Sequence, residues 1–183
     1  MKKPKNKDER ILAFRELFPN GASEDKEKII ERLNDMGYFV APASTKYHSN
    51  YEGGLFDHSY AVAKCLQDLT KRMELKWKYD NSPILVGLLH DLCKCGNYRP
   101  NGDGTYSYNT NFPLNGHGDK SVILAQIVLR DSLTIEEMLC IRWHMGAFDD
   151  KDNWSCYINA IKLYPNVLWT HTADMMASHI EGV

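Results

Sequence analysis

Residues 88–94 read Leu-Leu-His-Asp-Leu-Cys-Lys and place a histidine beside an aspartate at the end of an apolar run that begins at Ile84. Ser82 is a favourable N-cap and Pro83 a favourable first helical residue, so we predict a helix that continues to Lys94. An unpaired carboxylate among leucines would cost several kcal/mol, which a bound cation would offset. Taken alone, the stretch fits a metal-binding pair and a core histidine with a helix-end aspartate equally well.

The composition is typical of a soluble globular protein, with 183 residues, a formal net charge of -2, 43% hydrophobic and 25% charged residues. We predict a single domain over residues 1–183, in which helices of residues 1–37 pack on a metal-binding core of residues 53–177. The charge does not favour duplex nucleic acid or an anionic membrane as a partner. Five scattered cysteines predict reduced thiols in a cytoplasmic protein, and no apolar stretch approaches the ~20 residues of a membrane span.

Apolar residues at helical spacing predict an all-α fold. The predicted helices cover residues 8–18, 23–36, 55–73, 83–94, 121–130, 134–145, 157–163 and 166–180. Ser23 is the expected N-cap of the second helix, and Thr134 and Glu137 have capping-box spacing. Tyrosines around the turn residues 101–104 predict a short β-hairpin insertion near residues 97–109. His48 lies in a polar segment, where we expect a surface loop residue whose replacement by alanine has little effect.

Four further residues of metal-binding type lie on predicted helices or directly before them. His58 follows a glycine pair and opens an apolar helix face, and His117 stands between two glycines directly before a helix. His144 lies near a helix end and Asp174 on the last helix. With the central His-Asp pair they make four imidazoles and two carboxylates. That set exceeds the needs of one tetrahedral zinc and matches two adjacent ions bridged by a carboxylate and a water or hydroxide.

The order of these residues resembles the HD-domain superfamily of metal-dependent phosphohydrolases, in its six-ligand dinuclear branch. By this resemblance the metal ligands are His58, His90, Asp91, His117, His144 and Asp174. Asp91 is expected to bridge the two ions, and Lys94 stands where the family has the lysine of its HDxxK motif, with Cys93 replacing the usual glycine. Residues 53–58, Gly-Gly-Leu-Phe-Asp-His, are similar to the HD domain of bacterial 3′–5′ exoribonucleases. Dinucleoside-tetraphosphate hydrolases of the HD type share the six ligands.

The resemblance implies an HD-domain helical bundle that cleaves a phosphoester or phosphoanhydride of a nucleotide or short oligonucleotide through a metal-bridging hydroxide. The cofactor would be two divalent transition-metal ions, Fe, Mn, Zn, Co or Ni, among which these ligand types do not discriminate. We expect Asp91 and Lys94 to be the catalytic residues. Lys94 would either contact phosphate or hold a ligand carboxylate.

The tyrosine-rich insertion lies directly after the central stretch, as a lid or substrate wall often does, although it would also fit a surface hairpin without a role. We predict that Lys94, Tyr98, Arg99 and Tyr106 contact a small phosphorylated substrate, either a nucleotide or a short single-stranded nucleic acid. His171 stands three residues before Asp174 and is a candidate for orienting that ligand.

Two other classes of protein fit the same six residues. HD-fold di-iron oxygenases use these ligand types for C–H chemistry, and they would show oxygen consumption and a mixed-valence iron EPR signal. A non-catalytic, metal-stabilised module would bind a nucleotide without turnover. We expect no membrane partner, and the sequence does not predict an oligomeric state.

Overall fold

The computed structural model describes residues 6–18, 25–45, 49–111, 113–114, 116–130 and 132–183. Within these ranges the chain forms eight α-helices: α1 (Lys7–Leu17), α2 (Lys26–Asp35), α3 (Gly54–Arg72), α4 (Ser82–Leu89), α5 (His117–Leu129), α6 (Ile135–Arg142), α7 (Trp154–Leu163) and α8 (Asn166–His179). Strands β1 (Tyr98–Pro100) and β2 (Tyr106–Tyr108) form an antiparallel hairpin. This confirms the prediction of a mainly helical chain with a short hairpin. The predictions for Ser23 and His48 lie outside the described residues. No helix in the described ranges is long and apolar enough to cross a membrane.

The centre of the fold is helix α3, which packs against both α4 and α8. Val62, Ala63 and Leu66 form its buried stripe at helical spacing. Gly87 allows α4 to approach α3 closely, because a Cβ at this position would lie 2.3 Å from the Cα of Ala63. The close approach brings the end of α4, and the His-Asp pair that follows it, next to the first turns of α3.

Buried side chains connect α1 to the rest of the core. Phe14 packs edge-on against Tyr38, with ring centroids 6.3 Å apart. The Tyr38 hydroxyl donates to the carbonyl of Leu88 at 2.5 Å, which satisfies a group that the end of α4 leaves without an intrahelical partner. Arg10 of α1 is buried, and its Nε donates to Asp57 Oδ1 at 3.2 Å. These contacts fix α1 against the first turn of α3.

Two glutamates at the start of α6 connect the beginnings of three helices. Glu137 forms the predicted capping box with Thr134. Glu137 Oε1 also accepts a hydrogen bond from the Ser82 hydroxyl at 2.7 Å, and Glu136 Oε1 accepts one from the Asn166 amide at 2.8 Å. The starts of α4, α6 and α8 are therefore held together by buried polar contacts.

The predicted limits of α4 are wrong at both ends. Asn81 occupies the N-cap position, and Ser82 is the first helical residue, because its hydroxyl is used by Glu137 instead of capping the helix. The helix ends at Leu89, and a 3-10 helix at residues 92–94 follows a turn. The turn forms because His90 Nδ1 donates to the carbonyl of Gly87. In a continuing helix this carbonyl would accept from the backbone amide four residues later.

Other helix limits also differ from the prediction: α7 begins at Trp154 and not at residue 157, and two further limits involve candidate ligands. Helix α5 begins at His117 and not at Ser121, directly after Gly116, whose φ is +80°. Helix α6 ends at Arg142, before the predicted end at residue 145. The His144 ring bonds to the carbonyl of Ile141, three residues earlier, in the same way as His90 does at the end of α4. In both helices a candidate metal ligand terminates the helix.

Candidate metal centre

Five of the predicted ligands converge in the core from α3, α8 and the segments that follow α4 and α6. His58 Nε2 lies 3.1 Å from Asp174 Oδ1. His90 Nε2 lies 3.8 Å from Asp91 Oδ2 and 4.0 Å from Asp174 Oδ1. His144 Nε2 lies 3.6 Å from Asp91 Oδ1. The three histidines and Asp91 are buried, and Asp174 is partly buried. Residues that are far apart in the sequence therefore form one compact cluster.

The two carboxylate oxygens of Asp91 face different neighbours. Oδ2 lies 3.9 Å from His58 Nε2 and 3.8 Å from His90 Nε2. Oδ1 lies 3.6 Å from His144 Nε2 and 3.6 Å from Cys93 Sγ. The two oxygens therefore have different nearest candidate ligands, as a bridging carboxylate requires, although His144 also lies within 4.8 Å of His90 and Asp174.

Each of the three buried imidazoles is oriented by a backbone carbonyl that accepts a hydrogen bond from Nδ1. The acceptors are Val183 O for His58 at 2.9 Å, Gly87 O for His90 at 2.8 Å and Ile141 O for His144 at 2.7 Å. In the neutral ring, a proton on Nδ1 leaves the lone pair on Nε2, and all three Nε2 atoms face the carboxylates. Histidine ligands of metals are commonly oriented in this way.

The Nε2 atoms of His90 and His144 are buried and have no hydrogen-bond partner among the described residues. A buried polar atom without a partner costs about 1–3 kcal/mol, so folded proteins rarely keep one without a function. A divalent cation would accept both lone pairs and balance the charge of the two aspartates. The donor set of imidazoles and carboxylates suits Fe, Mn, Zn, Co and Ni. The residues present therefore fit the metal centre that the sequence predicts.

The aspartates and histidines of the cluster shift one another's pKa values. Burial lowers the pKa of His90 to about 4, so its imidazole is neutral at pH 7. Burial alone would raise the pKa of Asp91, but the charge of Lys94 holds it well below its usual value. Burial would also raise the pKa of Asp174, and its hydrogen bond with His58 lowers it instead. Although burial alone would lower them, the pKa of His58 is raised by its contact with Asp174 and that of His144 by its contact with Asp91. A metal ion binds the neutral imidazoles and ionised carboxylates, so its binding would displace any proton on these Nε2 atoms.

His117 joins the cluster from the first residue of α5. Its Nδ1 lies 3.3 Å from Cys93 Sγ, and the ligand atoms of Asp91, Cys93 and His117 all lie within 4.8 Å of one another. Burial lowers the pKa of His117 and raises the pKa of the Cys93 thiol to about 12. The sequence marks Cys93 as the residue in place of the family's usual glycine, and as half of a C-x-C pair that does not predict a structural zinc site, but not as a member of this group. Its position two residues after Asp91 was the one available signal.

The predicted substrate contacts separate into two sets. Lys94 Nζ lies 4.0 Å from Asp91 Oδ2, and the half-buried Tyr98 lies close to Lys94. Tyr106 is on the same face of the hairpin as Tyr98. Arg99 is exposed and follows Tyr98 along β1, so its side chain lies on the opposite face. The structure thus brings Lys94 and Tyr98 to the cluster and does not place Arg99 beside them.

His171 orients a different ligand from the one that the sequence spacing indicates. Its Nδ1 donates to the carbonyl of His144 at 2.8 Å, so it holds the backbone of that residue. Gly146, with a φ of +54°, makes room for the ring, because a Cβ there would lie 2.7 Å from it. The spacing of His171 from Asp174 could not reveal this contact.

Arg142, to which no sequence motif points, connects the elements that carry His117 and His144. Its Nε lies 2.5 Å from Asp119 Oδ1, in the first turn of α5, and its Nη1 lies 2.6 Å from Asp149 Oδ2. The guanidinium at the end of α6 therefore fixes the start of α5 against it.

These features define a helical protein with a buried cluster of imidazoles and carboxylates suited to divalent metal ions. No family model and no solved structure matches the chain. Dihydroneopterin 2′,3′-cyclic phosphate phosphodiesterase of Methanocaldococcus jannaschii is 30% identical to it over 190 aligned residues, which cover 96% of this chain and 70% of the relative. The chain belongs to the family of this phosphodiesterase. Membership of that family supports the predicted hydrolysis of a phosphoester.

Proposed function

We propose that the chain is a metal-dependent phosphohydrolase of the HD superfamily that cleaves a phosphodiester of a small, nucleotide-like substrate. The observation that carries the proposal is the pair of buried, unpartnered Nε2 atoms of His90 and His144 on either side of the Asp91 carboxylate. The name of the relative supports the type of reaction. By similarity to it, the first substrate to consider is the 2′,3′-cyclic phosphate of dihydroneopterin, followed by nucleoside 2′,3′-cyclic phosphates.

We assign two divalent transition-metal ions to the cluster, to be held by His58, His90, Asp91, His117, His144 and Asp174. When bound, such ions lower the pKa of a coordinated water and neutralise the charge of the phosphoryl oxygens. The protein's own contribution is preorganisation. The Nδ1 hydrogen bonds keep the Nε2 atoms turned inward, and Asp91 offers one oxygen to each group of ligands.

Lys94 supplies a positive charge from the chain itself. Burial alone would lower its pKa, but the charge of Asp91 raises it, so the side chain is an ammonium ion at neutral pH. Its Nζ lies on the Oδ2 side of Asp91, next to Tyr98. We assign Lys94 to hold the Asp91 carboxylate and to contact a phosphoryl oxygen of the substrate.

A pocket beside His117 provides a place for the rest of the substrate. Its lining includes Asn97, Tyr108, Asn109 and Lys120, between the hairpin and the first turn of α5. Asn97 Oδ1 accepts from Lys120 Nζ and Asn109 Nδ2 donates to the carbonyl of Gly96, so the other amide N–H groups are the donors offered to the edge of a heterocycle. We assign this pocket to the base or pterin of the substrate, which leaves its phosphate next to the metal ligands.

The proposal is tested with anaerobically purified protein that is stripped of metal and reloaded separately with Fe²⁺, Mn²⁺, Zn²⁺, Co²⁺ or Ni²⁺. The substrates are dihydroneopterin 2′,3′-cyclic phosphate, nucleoside 2′,3′-cyclic phosphates, dinucleoside polyphosphates and short RNA. We expect loaded protein to open a cyclic phosphate to a monoester, and metal-free protein to be inactive. Asp91→Ala should abolish turnover, whereas Asp152→Ala, at an exposed aspartate, should leave it unchanged.

Two results would contradict the proposal. One is tight nucleotide binding without turnover under every metal. The other is oxygen consumption by the iron form, with a mixed-valence EPR signal and no phosphate product.

A further inference from the structure

Cys93 lies between two of the assigned ligands and is completely buried. Its Sγ is 3.3 Å from His117 Nδ1 and 3.6 Å from Asp91 Oδ1. The same Asp91 oxygen lies 3.6 Å from the unpartnered Nε2 of His144. The ligand atoms of Asp91, Cys93 and His117 therefore lie within 4.8 Å of one another, with His144 Nε2 on the far side of the same Asp91 oxygen.

These separations match those of ligands that share one metal ion. Bond lengths of about 2.3 Å to sulfur and about 2.0–2.1 Å to nitrogen or oxygen, at tetrahedral angles, place neighbouring ligand atoms about 3.5 Å apart. The observed distances from Cys93 Sγ to its two neighbours, 3.3 and 3.6 Å, lie on either side of that value. The position of the side chain is also fixed, because the Cys93 amide donates to Ser121 Oγ at 3.1 Å.

We propose that Cys93 is a thiolate ligand of the metal ion held by Asp91 and His117. The inference rests on the proposed metal centre and adds a seventh ligand, of a different chemical type, to one of its two positions. Binding of the ion displaces the Sγ proton to solvent, and no oxidation is involved. A thiolate is a softer donor than a carboxylate, so this position would prefer Fe²⁺, Co²⁺ or Zn²⁺ to Mn²⁺.

The test uses metal-free protein titrated with Co²⁺ and followed by absorption spectroscopy. Wild-type protein should develop a thiolate-to-cobalt charge-transfer band in the near ultraviolet as this position fills. Cys93→Ala should lose the band and bind its second cobalt ion about tenfold or more weakly. Cys95→Ala is the matched control, because Cys95 is equally buried but lies outside the ligand group, and it should keep the band.

X-ray absorption of the cobalt-loaded wild type provides a measurement that needs no variant. A cobalt–sulfur distance of about 2.3 Å would support the inference. Two bound cobalt ions without sulfur scattering and without the band would overturn it and leave the proposed function standing, with Cys93 only a hydrogen-bond donor to Asp91. Failure to bind cobalt at all would instead overturn the proposed metal centre, and this inference with it.

Discussion

At the scale of single residues, the sequence carried the types of the candidate ligands but not the contacts that orient them. Their order along the chain indicated a common site. In the structure each lies within 4.0 Å of an atom of another candidate ligand, except His117, which lies within that distance of Cys93. His58, by contrast, is oriented by the carbonyl of Val183, 125 residues away in the sequence. No local pattern can reveal such a contact, because it depends on how α3 packs against the end of the chain.

Lys94 and a bound cation should both neutralise the negative charge of the Asp91 carboxylate. In metal-free protein, Lys94→Ala leaves the buried Asp91 without its neighbouring ammonium ion, and we expect unfolding free energy to fall by about 2–3 kcal/mol. In metal-loaded protein the loss should be smaller, because the metal ions also neutralise Asp91. Urea denaturation with chelator and with Mn²⁺ measures both values.

Lys71→Ala, at an exposed position of α3, is the control and should change stability by less than about 0.5 kcal/mol in either condition. An equal loss for Lys94→Ala with and without metal would contradict the shared role.

At the scale of elements, periodicity located the helices but not their ends. The apolar run that begins at Ile84 identified α4 correctly, yet the helix stops at Leu89 because the next residue bonds its own ring to the carbonyl of Gly87. The start of α5 was placed four residues late, because the apolar pattern becomes clear only after the polar first turn that carries His117. The end of α4 and the start of α5 therefore follow the contacts of the candidate ligands and not the apolar pattern.

Gly87→Ala should separate α3 from α4. The added Cβ would lie 2.3 Å from the Cα and 2.6 Å from the N of Ala63, so Ala63→Gly cannot relieve the clash. We expect a loss of about 1–3 kcal/mol in unfolding free energy, despite the better helix propensity of alanine. Metal affinity should also fall, because the carbonyl that orients His90 moves with Gly87.

Gly102→Ala is the matched control, since its Cβ would meet no atom within 4 Å, although its φ of +82° adds backbone strain of about 1 kcal/mol. Its metal affinity should remain that of the wild type. Calorimetric metal titration and thermal unfolding of the two variants test this account, and unchanged metal affinity in Gly87→Ala would contradict it.

At the scale of the whole molecule, we propose that residues 53–177 form the metal-binding core and that the helices of residues 1–37 pack on it. The main polar connection is the buried pair of Arg10 and Asp57, next to His58 in α3. Tyr51 donates a further hydrogen bond to Asp57 Oδ2 at 2.9 Å. Periodicity predicted both α1 and α3, but it cannot predict that the buried Arg10 of α1 pairs with Asp57 of α3.

Arg10→Met should lower the unfolding free energy by about 3–5 kcal/mol, because it leaves the Asp57 carboxylate buried without its partner. The double variant Arg10→Met/Asp57→Asn should lose less than the sum of the two single variants, since neither charge then remains unpaired. A double-mutant cycle by urea denaturation measures the coupling, and strictly additive losses would show that the pair does not join α1 to the core.

The central claim is that the buried imidazoles and carboxylates hold two divalent ions joined by Asp91. Its most direct test is the number of metal ions per chain, measured by elemental analysis of anaerobically purified protein and of the Asp91→Ala variant. The account predicts about two ions in the wild type and loss of metal from the variant, as expected when a bridging ligand is removed. Full metal content in Asp91→Ala, or a wild type that hydrolyses its substrate without any metal, would contradict it.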